Sequence, residues 1–251
     1  MKNFEDITFS IVSHNQQDDC IKAIKSFREA FPKSKFIVTL NTSEKNNICK
    51  YGFSEVKVIR NQHPIGFGEN HNNAFKFCKS DYFCVLNPDT TIRFLDEKFN
   101  LDTIFNSGFK ACSPLIFEDN KVADGLRAFP AISSFIKRFL FSKNIDSIKP
   151  RPGKKFDWMS GACIIFPKEV FYDLGGFDTS FFMYCEDIDL FRRMSISNYN
   201  FCCSIKFQIN HESNRQSRRK INLLLMHINN AIKIVYRLNF KGKKINKGIV
   251  I

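Results

Sequence analysis

Short apolar runs alternate with amphipathic segments through the first part of the chain. Four of these runs have the length and composition of buried strands: 7–13, 35–40, 56–59 and 82–86. Between the first two, Ile21, Ile24 and Phe27 recur at the spacing of a helix face, and a second helix is predicted around Ala74 and Phe75. Strands and helices that alternate in this way form right-handed β-α-β units. The pattern therefore predicts an α/β fold with a mostly parallel central sheet flanked by helices.

The rest of the chain is predicted to add a helix at 95–105, strands at 110–117 and 201–210, and a long helix at 221–238. Before the last strand, a stripe of apolar residues recurs at helical spacing beside basic ones, at Ile132, Phe135, Ile136, Phe139 and Leu140. An amphipathic basic helix of this kind either lies in a membrane interface or packs on the protein's own core, and the pattern leaves both open.

Polar residues follow each of the four predicted parallel strands. They are Ser13-His14-Asn15, Asn41-Thr42-Ser43, Asn61-Gln62-His63 and Asn87-Pro88-Asp89. Ligands of parallel sheets bind beyond the carboxyl ends of the strands. Short amide, hydroxyl and carboxylate groups at those ends can hydrogen-bond a pyrimidine base, a ribose and a metal-bound diphosphate. Although the same residue types are common in turns, four such ends on one sheet favour a nucleotide site.

Two further segments carry candidate ligand chemistry. A proline fixes the turn before Asp89, whose carboxylate can hold a divalent cation against a diphosphate, although Asn-Pro-Asp also describes a plain turn. The sequence GFGENHN at 66–72 superficially resembles a phosphate loop, but it lacks the G-x-G-x-x-G and G-K-[ST] spacings. We therefore reject a Rossmann dinucleotide site and a P-loop, while Asn70, His71 and Asn72 can still read a sugar or a base.

An aromatic-rich segment at 156–193 delivers three carboxylates, Glu186, Asp187 and Asp189, into apolar surroundings. Carboxylates in such a place must be paired, bound to metal, or kept reactive by partial desolvation. Because the following residues are predicted to be helical, Glu186 and Asp187 fall at the helix start, where the helix dipole favours their ionised form. Considered alone, the pair is most simply interpreted as the acidic first turn of a helix.

Charge is distributed unevenly along the chain. The net charge is +13 over 251 residues, and from Lys206 onward eleven Lys and Arg residues are set against one acid, Glu212. A basic end of this kind suggests a polyanionic partner, such as an anionic membrane surface, a nucleic acid or a phosphate-bearing substrate. The cluster at 241–247 is a candidate for electrostatic attachment to a membrane.

Cysteine usage and the amino-terminal sequence bear on the compartment. The nine cysteines include no C-x-x-C pair, which disfavours a disulfide framework or a zinc ribbon and favours a reducing cytosol. The first fifteen residues place Glu5 and Asp6 before a short apolar run and predict neither a signal peptide nor a membrane span.

Together these motifs resemble the family-two inverting glycosyltransferases of the GT-A fold, and among them the rhamnosyltransferase-like branch of bacterial surface-polysaccharide synthesis. The resemblance covers most of residues 7–215. The matching pieces occur in family order: IVSHN, the strand-end Asn41, GFGENHN, LNPDT, SGACIIFPKEVFYDLGGFD, FFMYCEDIDLFRR and a histidine after the next strand.

The resemblance implies a division of the chain. A GT-A catalytic domain would span 1–215, with a nucleotide-sugar-binding half at 1–110 and an acceptor-binding half at 111–215. The acceptor half would include a flexible segment at 125–156. A basic amphipathic helix and tail at 216–251 would follow the catalytic domain.

The resemblance also implies roles for single residues. Asp89 would match the last acid of the family's D-x-D motif and bind Mg²⁺ or Mn²⁺ on the donor diphosphate, with His211 completing the metal shell. Asn87 stands where many members have Asp, so it would contribute no charge to the metal. Asp187 would match the catalytic base, and Glu186 would orient the acceptor.

Further residues are assigned to the two substrates by the same resemblance. The donor-binding set comprises Ser13, Asn15, Asn41, Gly66, Phe67, Asn70, Asn72, Asn87, Gly161 and Ala162. The acceptor-binding set comprises Trp158, expected to be an aromatic platform, and Tyr184. Asp189 is expected to be a structural partner of Arg192 or Arg193.

The implied reaction is an inverting transfer by single displacement. The base would remove the acceptor hydroxyl proton as that oxygen attacks the anomeric carbon opposite the leaving diphosphate, which the metal stabilises. The donor would be dTDP-rhamnose or a UDP-hexose, and the acceptor a glycan or a lipid-diphosphate-linked sugar. The enzyme would be cytoplasmic and peripheral at the inner face of the plasma membrane.

Two other classes of protein are disfavoured by the same residues. A sugar-phosphate nucleotidyltransferase usually carries a glycine-rich basic signature after its first strand, where this chain has IVSHNQQDD. A nucleic-acid-binding module would use the basic residues, but these decorate no recognisable aromatic RNA platform or helix-turn-helix. We therefore expect no nucleic-acid partner.

Overall fold

The structure is a computed structural model that describes residues 6–53, 55–123, 125–130, 147–212, 221–239 and 247–251. The apolar stripe predicted at 132–140 lies outside these residues, as does the basic cluster at 241–247 except for Lys247. Across the described residues, no helix combines the length and apolar character that a membrane-spanning segment needs.

The described helices and strands follow the predicted alternation through the first four strands. The α-helices are α1 (Gln17–Ala30), α2 (Phe67–Phe75), α3 (Leu101–Asn106), α4 (Lys168–Asp173), α5 (Glu186–Ile196) and α6 (Ile221–Asn239), and a 3-10 helix spans Ile48–Tyr51. The strands are β1 (Ile7–Ser13), β2 (Lys35–Leu40), β3 (Val56–Arg60), β4 (Tyr82–Leu86), β5 (Thr90–Leu95), β6 (Phe109–Glu118), β7 (Lys121–Val122), β8 (Leu126–Arg127), β9 (Lys155–Phe156), β10 (Trp158–Met159), β11 (Cys163–Pro167), β12 (Asn200–His211) and β13 (Gly248–Val250).

The main sheet has the strand order β3-β2-β1-β4-β11-β6-β12-β13-β9, with β5 pairing beside β12 and β7 beside β6. The first four strands of this order are parallel. Strand β11 runs antiparallel to both of its neighbours, whereas β12 is parallel to β6 and β13. Strands β8 and β10 form a separate antiparallel pair. The predicted α/β class with a large, mostly parallel sheet is confirmed.

Apolar side chains cover both faces of the sheet. Along β4, Cys84 and Leu86 join one cluster with Phe9 of β1, while Phe83 and Val85 join the other. This alternation follows from the two-residue period of a strand. Much of the phenylalanine excess is used here, because the largest fully buried side chains are mostly phenylalanines from both clusters.

Two segments differ from the sequence-based prediction. The helix predicted at 95–105 begins later, as α3 at Leu101, and the strand β5 that precedes it was not predicted. Strand β5 is stabilised by antiparallel pairing with β12, which brings Thr90 opposite His211. Local pattern could not reveal this pairing, because the two strands are more than a hundred residues apart in the chain.

The carboxyl-terminal region is also connected differently from the expected extension. Strand β13 pairs with β12 and β9, so the boundary predicted at residue 215 does not separate 216–251 from the sheet. Gly248 permits the close approach, since a Cβ there would lie 2.4 Å from ring atoms of Phe156 and Phe201. The segment predicted to be flexible, 125–156, contributes β8 and β9 within its described part.

Candidate active site

Ser13 and Asn15, at the carboxyl end of β1, are gathered around the carboxylate of Glu44. Glu44 Oε1 accepts hydrogen bonds from Ser13 Oγ (2.9 Å) and from the backbone N–H of Asn15 (3.2 Å). The hydroxyl of Thr42 donates to the same oxygen, and Gln17 Nε2 donates to Oε2 at 2.7 Å. Sequence reasoning missed Glu44, whose only signal was an acid close behind the end of β2. Its carboxylate fixes the polar turns after β1 and β2.

Asn41 and Asn70 form an amide network with Asn61. Asn61 Nδ2 donates to Asn41 Oδ1 (2.8 Å) and to Asn70 Oδ1 (2.7 Å). Asn41 Oδ1 also accepts from the N–H of Ile65, and Asn70 Nδ2 donates to the carbonyl of Gly66. Both side chains are buried. The structure therefore corrects their expected direct contact with the donor: their amides hold the loop between β3 and α2.

The two other polar residues of α2 also have internal partners. Asn72 makes a reciprocal pair of bonds with the backbone of Phe177, at 2.9 and 2.8 Å, so its predicted role in donor binding is replaced by a structural one. A Cβ on Gly176 would lie 2.3 Å from the Asn72 amide oxygen, which explains the glycine. His71 is fully buried, its Nδ1 is 2.8 Å from Ser10 Oγ, and burial lowers its pKa to about 3. Because it is fully buried, the imidazole of His71 cannot contact a sugar.

Gly66 and Phe67 connect the start of α2 to the loop that precedes α5. A Cβ on Gly66 would lie 2.8 Å from the carbonyl oxygen of Phe182, and that oxygen accepts the N–H of Phe67 at 2.8 Å. The ring of Phe67 packs beside Gly161, whose missing Cβ would lie 3.7 Å from Phe67 Cε1 and 3.8 Å from the Cβ of Asp187. These contacts place Gly66 and Phe67 against the loop before α5, and Gly161 between Phe67 and Asp187.

Asp89 and His211 are brought together by the pairing of β5 with β12. His211 Nε2 lies 3.2 Å from Asp89 Oδ1 and 3.2 Å from Asn87 Nδ2, and its Nδ1 lies 3.8 Å from Glu118 Oε1. A carboxylate and an imidazole are ligands that suit divalent cations such as Mn²⁺. Among the described residues, no group of three or more His, Cys, Asp or Glu side chains is arranged to hold a metal ion. The pair fits a cation only as a partial ligand set.

Glu186 and Asp187 form the first turn of α5, after two residues with left-handed backbone, Tyr184 and Cys185 (φ 70° and 71°). Asp187 accepts hydrogen bonds from two backbone N–H groups, that of Ile188 at 2.8 Å and that of Gly161 at 3.3 Å. Glu186 is 7% exposed, and its Oε2 has no hydrogen-bond partner among the described residues. The two neighbouring carboxyls therefore have different surroundings.

These surroundings raise the pKa values of both carboxyls. Burial is the main cause for Glu186, and the charge of Asp187 adds to it, so that the pKa of Glu186 rises to about 8. Burial also raises the pKa of Asp187, but the N–H groups of Ile188 and Gly161 and the charge of Arg127 act in the opposite direction. Because more of these lowering contacts act on Asp187, the surroundings favour a proton on Glu186 and the negative charge on Asp187.

The carboxylate pair and the Asp89 turn lie at the same edge of the sheet. Strand β11 pairs with β4 so that Cys163 is opposite Leu86, and the N–H of Asn87 donates to the carbonyl of Ala162 at 2.8 Å. Gly161, one residue earlier, donates to Asp187. Two carboxylate sites, one at α5 and one after β4, are thus separated by a short stretch of backbone.

Trp158 is not an open aromatic platform, which corrects its expected role at the acceptor. Its side chain is buried, its indole N–H donates to the carbonyl of Ala128 at 2.9 Å, and the guanidinium of Arg127 lies 5.3 Å from the ring centroid. Tyr184 remains close to the carboxylates by its position in the chain. Its carbonyl accepts a hydrogen bond from Asn230 of α6 at 3.3 Å.

Asp189 is a structural residue, as expected. Its carboxylate is completely buried and lies 3.1 Å from Arg192 Nη2 and 2.8 Å from Arg193 Nε. A third guanidinium, from Arg237 of α6, lies 2.8 Å from it and was not anticipated. The predicted partnership with the two arginines of α5 is confirmed, and it extends to α6.

The fold and its relatives indicate the class of this protein: it is a glycosyltransferase with the GT-A fold. The chain is similar to rhamnosyltransferase WbbL of Escherichia coli K12, with 26% identity over 223 residues that cover 83% of this chain and 84% of the relative. It is also 46% identical over 37 residues to an N-acetylglucosaminyl-diphospho-decaprenol L-rhamnosyltransferase of Mycobacterium tuberculosis, a match that spans 15% and 12% of the two chains. No family model matches the chain.

Solved structures support the fold independently of sequence. The GalNAc-T7 structure with UDP, GalNAc and Mn²⁺ matches at a TM-score of 0.65 and 14% identity, covering 85% of this chain and 45% of that one. Mannosyltransferase PcManGT of Pyrobaculum calidifontis, in complex with GDP-Man and Mn²⁺, matches at a TM-score of 0.60 and 12% identity. The match covers 95% of this chain and 65% of that one. The chain thus spans about half and about two thirds of these two proteins, and the predicted GT-A fold is confirmed.

Proposed function

We propose that this protein transfers a sugar from a nucleotide-diphosphate donor to a hydroxyl group of a glycan or lipid-diphosphate-linked acceptor, with inversion at the anomeric carbon. The observation that carries the proposal is the Glu186–Asp187 pair, in which one carboxyl is held by two N–H groups and the other is buried without a partner for Oε2 among the described residues. Environments that separate two acids in this way are typical of acid-base sites.

Asp187 acts as the general base. It takes the proton of the acceptor hydroxyl on a carboxylate oxygen while the hydroxyl oxygen forms its bond to the anomeric carbon and the bond to the diphosphate breaks. The N–H groups of Gly161 and Ile188 fix the orientation of the carboxylate. Glu186, protonated at neutral pH, can donate a hydrogen bond to the acceptor and so orient it. General-base assistance of this kind contributes about 10²–10⁴-fold to the rate.

Asp89 and His211 would hold a divalent cation, Mg²⁺ or Mn²⁺, together with oxygens of the donor diphosphate and water. When bound, such an ion would supply positive charge that stabilises the departing diphosphate. The chemistry of the pair and its position after β4 support the assignment. Asn87 lies beside His211 and can position the imidazole, because its amide is 3.2 Å from Nε2.

The donor nucleotide would lie over the ends of β1 and β2. Asn15, Thr42 and Glu44 provide amide, hydroxyl and carboxylate groups there, while the buried hydroxyl of Ser13 donates to Glu44 and fixes its carboxylate. We propose dTDP-rhamnose or a UDP-hexose as donor, supported by the rhamnosyltransferase relatives. A lipid-diphosphate acceptor is supported by the name of the mycobacterial relative. The reaction would serve bacterial surface-polysaccharide synthesis at the inner face of the plasma membrane.

A donor screen tests the metal and donor assignments. Purified protein is incubated with dTDP-rhamnose, UDP-glucose, UDP-galactose or GDP-mannose, a lipid-diphosphate-linked N-acetylglucosamine acceptor and either Mn²⁺ or a chelator. One donor should release its nucleotide only with the metal, and NMR of the product should show inversion. The substitution Asp89→Ala should lower this rate by more than the 10–100-fold typical of outer-shell changes. Full activity of Asp89→Ala in chelator would contradict the metal assignment.

A further inference from the structure

The carboxyl-terminal helix α6 exposes apolar side chains on its outward surface. Ile232 is 66% exposed, Tyr236 62% and Ile228 38%. Ala231, Ile234 and Val235 of the same helix are buried in the protein. An exposed stripe of large apolar side chains at i, i+4 and i+8 marks a surface that binds a partner or a membrane. The outward face, defined here by Ile228, Ile232 and Tyr236, therefore calls for a covering surface.

Three polar side chains of α6 contact the protein, from Asn230, Lys233 and Arg237, whereas Asn229 is exposed. Asn230 donates to the carbonyl of Met183 at 2.8 Å, and Lys233 donates to the carbonyl of Ser180 at 3.2 Å. Arg237 lies 2.8 Å from both Asp178 and Asp189. Three successive turns of the helix thus contact the segment 178–189, which contains the carboxylate pair. These contacts connect α6 to the candidate active site.

The charge around α6 selects among the surfaces that could cover it. After Glu212 the sequence contains ten Lys and Arg residues and no acid. Four of these residues directly precede the helix, at Arg215, Arg218, Arg219 and Lys220, and four follow it, at Lys241, Lys243, Lys244 and Lys247. A second copy of the same face would bring two strongly cationic sets together, which is unfavourable. An anionic lipid surface is complementary to this charge, and basic residues beside an apolar helix face are typical of interfacial helices.

We propose that the outward face of α6 lies in the interface of an anionic lipid bilayer, whose charge is complementary to the basic sequence on either side of the helix. The isoleucines enter the acyl boundary, and Tyr236 places its ring at headgroup level. The segment 178–189, on the inner side of α6, is thereby held one helix diameter, roughly 10 Å, from the membrane surface. This consequence rests on the proposed function, because it brings the hydroxyl of a lipid-linked acceptor within reach of Asp187.

Vesicle binding by the full chain tests the proposal. The double substitution Ile228→Gln with Ile232→Gln removes the apolar groups without changing charge, and Gln is at least as favourable as Ile in a helix. Binding to phosphatidylglycerol-containing vesicles, measured by flotation, is expected to fall at least about tenfold, because each isoleucine loses the transfer of several carbon atoms from water. Wild-type protein should bind vesicles of phosphatidylcholine alone much more weakly, and added salt should weaken its binding to anionic vesicles.

The matched control is Tyr51→Gln, which changes an exposed aromatic residue shortly before the edge strand β3 and should bind vesicles as the wild type does. Unchanged vesicle binding by the double variant would overturn the proposal. The proposal would also be overturned if light scattering showed a dimer for the wild type and a monomer for the double variant, while the double variant still bound vesicles. Nucleotide release from the donor is measured in parallel without vesicles. If nucleotide release is absent while the double variant loses vesicle binding as expected, the proposed reaction is contradicted and the proposed membrane-binding face is supported.

Discussion

Glu186 and Asp187 are adjacent in the chain, yet the fold gives them different chemistry. The sequence showed two acids at a helix start and could not separate them, because the separation depends on contacts distant in the chain. The N–H of Gly161, from the turn before β11, reaches Asp187, whereas burial isolates Glu186. Helix geometry alone would have favoured ionisation of both residues. The surroundings therefore favour a proton on Glu186 rather than on Asp187.

The substitution Glu186→Gln tests this division through stability. The pKa of Glu186 is raised from 4.5 to about 8 in the folded protein, so the native state holds a proton that the unfolded chain releases between those pH values. Stability of the wild type should therefore fall as pH rises through this window. Gln cannot ionise, so the melting temperature of the variant should match the wild type near pH 4.5 and exceed it by a few degrees at pH 8.5. Calorimetry at the two pH values measures this, and equal melting temperatures at pH 8.5 would contradict it.

Helices α5 and α6 are joined by a buried carboxylate surrounded by three guanidinium groups. Asp189 is inaccessible to solvent, while Arg192, Arg193 and Arg237 are partly exposed. Removal of the carboxylate would leave these cations close together without their shared anion. A buried charge network of this kind is more costly to break than to replace by apolar groups.

The substitution Asp189→Asn is therefore expected to lower the free energy of unfolding by about 3–5 kcal/mol, the cost typical of breaking a buried ion pair. Urea unfolding measures the change. Asp173→Asn, which alters an exposed acid of α4, is the matched control and should leave stability close to that of the wild type. A loss no larger for Asp189→Asn than for this control would contradict the structural role of Asp189.

Elements that depend on local pattern were predictable, and elements that depend on distant partners were not. Strands β1 to β4 and helix α1 follow from apolar periodicity, and the structure has the four strands within a residue of their predicted bounds. Strand β5 was not predicted, because its stability comes from β12. Trp158 was taken for an exposed platform, since nothing near it in the sequence indicates that its ring lies against Arg127.

At the scale of the whole molecule, the sequence indicated the fold class and most of the edge that carries the site. Polar residues after parallel strands predicted where a ligand would bind, and the structure gathers Ser13, Asn15, Asp89 and His211 at those strand ends. The sequence could not show which amide side chains form hydrogen bonds within the protein instead of facing a ligand. Asn41, Asn70 and Asn72 have the chemistry to contact a donor, but their hydrogen bonds hold loops instead. Burial and partner geometry, which composition does not encode, decide that difference.

The central claim is that Asp187 is the base of a sugar transfer, and Asp187→Asn tests it most directly. The variant is compared with the wild type for transfer from the donor identified in the screen and for donor binding by calorimetry. Because only the proton acceptor is removed, transfer should fall by about 10²–10⁴-fold, and donor affinity should be unchanged. Transfer at a rate near that of the wild type, with the same donor affinity, would contradict the claim.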